Sequence, residues 1–182
     1  MRADALRNRE KIVAVAEEVL QEVGADFSMD ALAKRAGVGA GTLYRHFPDK
    51  DYLLAAVLEA RQIELPDPEA LLARSDSAYE ALRFWIGAQL NWVHSFNNLA
   101  QPLLEASSRE YSTPLGLHCS AVITSVERLV AAAREEGSVR PDLDGAVLYR
   151  AVLGLAWASW GEPQPENYLA VLERGWAQRS IS

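Results

Sequence analysis

The sequence predicts an all-α fold: an N-terminal three-helix helix-turn-helix domain, joined by a fourth helix to a helical C-terminal domain. Three observations carry that prediction. Apolar residues recur at three- and four-residue spacing along most of the chain. Glycines and prolines punctuate these runs at helix-length intervals. No stretch alternates apolar and polar residues in the manner of a half-buried strand.

The first helix is expected from about Ala5 to Val23, its stripe formed by Ile12, Val15, Ala16, Val19, Leu20 and Val23, with Gly24 as its stop. Ser28 is placed to cap a second, short helix with Met29, Leu32, Ala33 and Ala36 inward and Gly37 at its end. A third runs from about Gly39 to His46, with Leu43 and Phe47 inward, and Pro48 breaks it. Asp49 caps a fourth, Lys50 to about Glu64, and Leu65-Pro66-Asp67-Pro68 reads as a linker. Beyond it the spacing predicts helices over about Ser77–Ser95, Thr113–Glu136, Asp144–Trp160 and Glu166–Gln178, with Phe96 to Tyr111 less regular around Pro102. The domains expected are 1–48 (head), 49–65 (connecting helix) and 66–182 (body).

Hydrophobic residues make up 49% and charged residues 24% of the 182, a globular balance that argues against disorder throughout. The single Cys119 excludes an internal disulfide and fits a reducing compartment. No apolar stretch approaches the roughly 20 residues of a bilayer span, Ala151–Ala158 being the longest, and the N-terminus lacks the apolar core of a signal peptide. A cytoplasmic protein without a membrane partner is expected. The net charge of −7 lies entirely beyond residue 50: residues 1–50 hold eight basic and eight acidic residues, including all three lysines. A neutral head on an acidic body still binds a polyanion if its basic groups share a face.

The second and third helices, short and separated by a Gly-containing turn, form the helix-turn-helix pattern, in which one helix enters the major groove and the other holds it there. With two glycines, the third helix has poor intrinsic helicity and depends on Leu43 and Phe47 to hold it. Thr42, Tyr44, Arg45 and His46 are left facing outward. The run from Ser28 to Leu54, with its Gly37-Val38 turn, Gly41-Thr42-Leu43-Tyr44, Phe47 and Lys50, resembles the signature of the TetR family, over about residues 8–60.

That resemblance implies a homodimeric transcriptional repressor that binds a palindromic double-stranded operator and is released by a small-molecule effector, unknown here. It implies phosphate contacts from Thr42 and Tyr44, Tyr44 also meeting a thymine methyl. Arg45 and His46 would lie at the groove or backbone. Lys50 and Ser28 would each reach a phosphate from a helix N-terminus. Lys34 joins these candidates, although with Arg35 it fits a solvated face equally well. Two positions depart from the family pattern: Gly39 is a weaker cap than the usual Ser, and Ala40 offers a base only an apolar contact. Specificity is expected from few side chains, with DNA shape contributing.

In the body, the helix from Ala146 to Trp160 is apolar nearly all round, which predicts burial against both its own core and a partner. Leu148, Val152, Leu155 and Ser159 form the expected partner stripe, joined by Leu169, Leu172 and Trp176 of the last helix in an isologous four-helix interface. Trp85, Trp92, His94, Tyr111, His118 and Trp157 are the candidates for an effector pocket, although aromatics at helical spacing equally describe plain core. His118 and Cys119 are adjacent and point about 100° apart on a helix, so neither a metal site nor a nucleophile pair is expected; no cofactor and no enzymatic activity are predicted. Two alternatives stand beside the ligand-released repressor: a regulator without a pocket, and a helical enzyme carrying a vestigial head.

Overall fold

The computed structural model describes residues 2–60, 65–96, 98–108, 112–161 and 166–176. Among the described residues the elements are helices: α1 (Arg2–Val23), α2 (Met29–Arg35), α3 (Ala40–His46), α4 (Lys50–Ala60), α5 (Pro68–Arg74), α6 (Ala78–His94), α7 (Ala100–Ser108), α8 (Pro114–Glu136), α9 (Gly145–Ala158) and α10 (Glu166–Trp176). The all-α class is as predicted. The chain divides into two compact units, one comprising Met1–Ile63 and Phe96–His118, the other Glu64–Ser95 and Cys119–Ser182.

In the first unit, α1 packs against α2, α3 and α4 together. Its buried face is therefore wider than one stripe: Val13 is buried with Ile12, Ala16, Val19 and Leu20, whereas Val23 is exposed beside the stop and Val15 is half-buried. Gly37 ends α2 with φ 63°, a backbone state that costs other residues a Cβ clash. Its N–H reaches Lys34 O (3.1 Å) while Val38 N–H reaches Ala33 O (3.0 Å), satisfying the last carbonyls of the helix. Asp49 accepts from Tyr52 N–H (3.1 Å) and opens α4. That helix is described to Ala60; its expected end at Glu64 lies outside the described residues. The segment expected to be irregular contains α7, because Pro102 falls in its first turn, where the N–H that proline lacks has no helical partner.

The second unit begins with α5, which starts at Pro68, the last residue of the expected linker (residues 65–68), and lies ahead of the first body helix expected at Ser77. Asp67 accepts from Ala70 N–H (2.8 Å) as cap and Pro68 takes the first helical position. Ser77 caps α6 through Glu80 N–H (3.1 Å), and the Glu136 carboxylate takes Ala78 N–H (3.3 Å) and Tyr79 N–H (3.2 Å) at the same helix start. Asp144 caps α9 through Val147 N–H (2.8 Å). Among the described residues, α8 is long and apolar enough to cross a membrane by length and composition, which reading Ala151–Ala158 as the longest candidate did not anticipate. One stripe of it, including Leu115, Cys119, Val126, Leu129, Val130 and Ala133, is fully buried in protein.

Candidate nucleic-acid interface

The geometry of α3 follows from two anchors. Leu43 is 0% exposed and Phe47, at the C-cap, is nearly so, and together they hold a helix that contains Gly41 and starts at Gly39. Gly39 supplies no side-chain cap; its carbonyl instead accepts from Thr42 N–H (2.9 Å) and Leu43 N–H (3.1 Å). With the apolar side chains inward, Tyr44 and Arg45 project into solvent, Tyr44 at 43% exposure, and Thr42 and His46 are half-buried at the flanks. Gly39 and Ala40 are exposed at the start of the helix, and a Cβ at Gly39 or Gly41 would meet nothing within 4 Å. The outer face is thus open to close approach by another molecule.

Cations surround this face, and the structure sorts them. Arg9 of α1 lies over the Phe47 ring, its guanidinium carbon 5.4 Å from the centroid, and so stands beside the C-terminal end of α3. Arg9 was not singled out in the sequence, because its position depends on where α1 crosses α3. Lys34 is exposed in the last turn of α2. Arg35 faces the other way: Nη1 and Nη2 grip Glu22 at 2.5 and 2.6 Å, and Nη2 also meets Glu18 (3.3 Å). Hydrogen bonding from Arg35 holds the Glu22 carboxyl below the usual carboxylate range. Arg35 therefore ties α2 to α1, with its charge neutralised, and takes no part in the open face.

Ser28 and Lys50, assigned by resemblance to phosphates, have structural partners here. Ser28 Oγ caps α2 by a long contact from Ala31 N–H (3.5 Å). Lys50 Nζ donates to Ala25 O (2.8 Å) and lies 4.8 Å from the centroid of Phe27, steadying the loop between α1 and α2. An ammonium has three donors, so Lys50 keeps capacity for a further acceptor. Asn98 Nδ2 donates to Asp26 Oδ2 (3.0 Å) in that same loop, a contact between distant residues that no local pattern reveals.

The pocket candidates do not form one set. Trp85 and Trp92 are buried in the second unit. His94 instead joins the C-terminal ends of α6 and α9: its Nε2 lies 3.0 Å from Ala156 O and 3.2 Å from Ser159 Oγ. Because a carbonyl only accepts, Nε2 carries the hydrogen, and Ser159 Oγ, which donates to Leu155 O (2.7 Å), shares it. Trp160 meets the His94 ring edge-on at 5.9 Å. His118 is largely buried, and desolvation pushes its pKa down. Cys119 is buried and accepts a long contact from Tyr149 O–H (3.8 Å). Trp157 is 61% exposed, on the far side of α9 from the core, and does not belong with the interior aromatics. Tyr111 lies outside the described residues. No group of three or more His, Cys, Asp or Glu side chains converges for a metal among the described residues.

The expected partner stripe is turned inward. Leu148, Val152 and Ser159 are buried in the protomer's own core and Leu155 is half-buried. The outer line of α9 is Val147, Ala151, Gly154 and Ala158, flanked by Trp157. On α10, Leu169 is buried, Leu172 is half-buried and Val171 is exposed; the Trp176 side chain lies outside the described residues. An all-apolar helix carries no phase in its sequence pattern, so the choice between its faces could not be read there.

Comparison with known proteins fits this geometry. Residues 12–57 match the bacterial regulatory proteins of the tetR family. Residues 77–177 match the C-terminal domain of SbtR-like transcriptional regulators. HTH-type transcriptional regulators of Staphylococcus aureus are 45% identical over 60 residues; that stretch is 32% of this chain and only 32% of theirs. A TetR transcriptional regulator from Streptomyces coelicolor is 29% identical, with a TM-score of 0.55 over 94% of this chain and 99% of its own. The SmeT–triclosan complex, at 22% identity and TM-score 0.54 over 97% and 94% of the two chains, shares the fold. With one match covering the helix-turn-helix and the other more than half of the chain beyond it, this protein belongs to the TetR family of bacterial transcriptional regulators.

Proposed function

We propose that the protein is a cytoplasmic, homodimeric repressor that binds a palindromic operator and leaves it when a small molecule binds the body. The head (1–48) would read DNA, residues 49–65 would connect, and the body (66–182) would dimerise and sense. The observation that carries this reading is the division of α3 between Leu43 and Phe47, buried, and Tyr44 and Arg45, exposed on a face open to close approach. A single short helix reads too few bases to bind tightly, which argues for two copies on two half-sites. The outer line of α9 supplies a surface for that pairing: Ala151, Gly154 and Ala158 let a partner helix approach closely between Val147 and Trp157. The effector part of the reading draws on the triclosan complex of SmeT, a protein of the same fold. A ligand releases DNA only by binding one arrangement of the body better than the other.

The test is fluorescence anisotropy with DNA flanking the protein's own gene, wild type against Tyr44→Ala, across a salt series. Affinity that falls steeply with salt and at least about tenfold in the variant, with thermal stability unchanged, is expected for a phosphate-contacting residue. Equal binding by both proteins would remove α3 from the interface.

A further inference from the structure

Gln89 and Trp85 stand one turn apart on the inward face of α6, and both are 0% exposed. Neither the Gln89 carboxamide, at Oε1 or Nε2, nor the Trp85 indole Nε1 has a hydrogen-bond partner among the described residues. Burying such groups unpaired is costly, and a leucine or phenylalanine would have filled the same space without that cost. The pair carries two kinds of N–H donor and one carbonyl acceptor on a helix whose Leu82, Ile86 and Leu90 are also buried and which packs against α9, where Val152 and Leu153 are buried. Among the described residues no Asp, Glu, Lys or Arg side chain is buried, and His118, the one largely buried basic side chain among them, is pushed toward its neutral form by desolvation.

Resting on the ligand-release reading above, we propose that Gln89 and Trp85 are effector-binding groups and that the effector is an uncharged, largely apolar molecule bearing a carbonyl and an N–H or O–H donor, as in an aryl primary amide. Its carbonyl meets Gln89 Nε2–H and Trp85 Nε1–H, and its donor meets Gln89 Oε1. Without a buried countercharge, an ionised ligand would meet an uncompensated desolvation cost at this position. A neutral ligand satisfies all three groups at once.

Two measurements on the full-length protein test this. The first is thermal unfolding without ligand of Gln89→Met, which keeps the side-chain length and removes the amide, with Trp85→Phe as an independent second variant. A Tm rise of about 2 °C or more in Gln89→Met is expected, since a buried unpaired amide has been removed. A fall in Tm shows that the fold or its solvent already satisfies the amide, and overturns the proposal. The second compares benzamide, cinnamamide and naphthamide with benzoate, cinnamate and naphthoate, in thermal shift and operator release. Amides that act on the wild type and lose about tenfold in potency on Gln89→Met support the proposal. Carboxylates acting as well as the amides overturn it while leaving ligand release intact. Silence of both series on a protein that binds its operator overturns this inference and leaves ligand release by another chemistry standing.

Discussion

The backbone N–H of Gly145 donates to Glu127 Oε2 at 2.7 Å, and a Cβ at Gly145 would stand 2.5 Å from that oxygen and 2.8 Å from Glu127 Cα. The start of α9 therefore rests against the backbone of α8, and the carboxylate that fills the contact also receives Arg134. A side-chain tip moves aside cheaply; a Cα does not. Gly145→Ala is expected to destabilise the protein by about 1–3 kcal/mol, as overpacking a close contact does. Urea denaturation measures it, and an unchanged midpoint would show that the α8–α9 contact is loose.

Gly41 presents the opposite case. It lies within α3, exposed, with nothing within 4 Å of an added Cβ. Gly41→Ala restores helix propensity there and is expected to raise stability by about 0.5–1 kcal/mol. A lower Tm in the variant would mean that α3 needs the glycine for its own backbone.

The Glu136 carboxylate accepts from Ser138 Oγ–H (2.7 Å) as well as from the Ala78 and Tyr79 amides that begin α6. The Ser138 bond, joined by the two amides and opposed by desolvation, holds its pKa below the ordinary value. A carboxyl depressed in the folded state stabilises above its unfolded value, about 4.3, and loses that contribution as pH falls through the folded one. The stability difference between wild type and Glu136→Gln is therefore expected to be constant near neutral pH and to shrink as pH falls below the unfolded value and through the lower folded one. A difference that does not change with pH would place the stabilisation in shape, not charge.

Gly154 lies on the proposed partner face of α9, and an added Cβ there meets nothing within 4 Å in the protomer. Gly154→Arg is expected to leave the protomer folded and to break the dimer. Sedimentation equilibrium with circular dichroism reads both, and a variant that remains dimeric to submicromolar concentration would place the interface elsewhere.

The sequence showed most of the helices because their apolar spacing and caps are local: Ser28, Gly37, Asp49, Asp144 and Gly137 mark boundaries where the structure has them. It hid α5 and α7 because Pro68 and Pro102 read as breaks, although each occupies a first turn that tolerates proline. Of the outward set expected on α3, Tyr44 and Arg45 were legible because Leu43 and Phe47 face inward, whereas Thr42 and His46 are half-buried at the flanks. The committed state of Arg35, the stacking of Arg9 and the reach of Asn98 were not legible, since each depends on a partner on another segment. On α9, where every face is apolar, pattern alone chose the core side as the outer one.

The dependence of α3 on Leu43 and Phe47 shapes what genetics will return from this gene. On the proposed function, a screen for derepressed colonies would collect truncations at Leu43 and Phe47 as readily as changes at Tyr44, though neither buried side chain can touch DNA. The two kinds of allele part under overproduction: raising the dose restores repression when the head is merely unstable and still folds in part, but does little for a folded head that has lost its grip. Allele strength against protein level would thus map which residues hold α3 in place and which ones carry the function proposed for it.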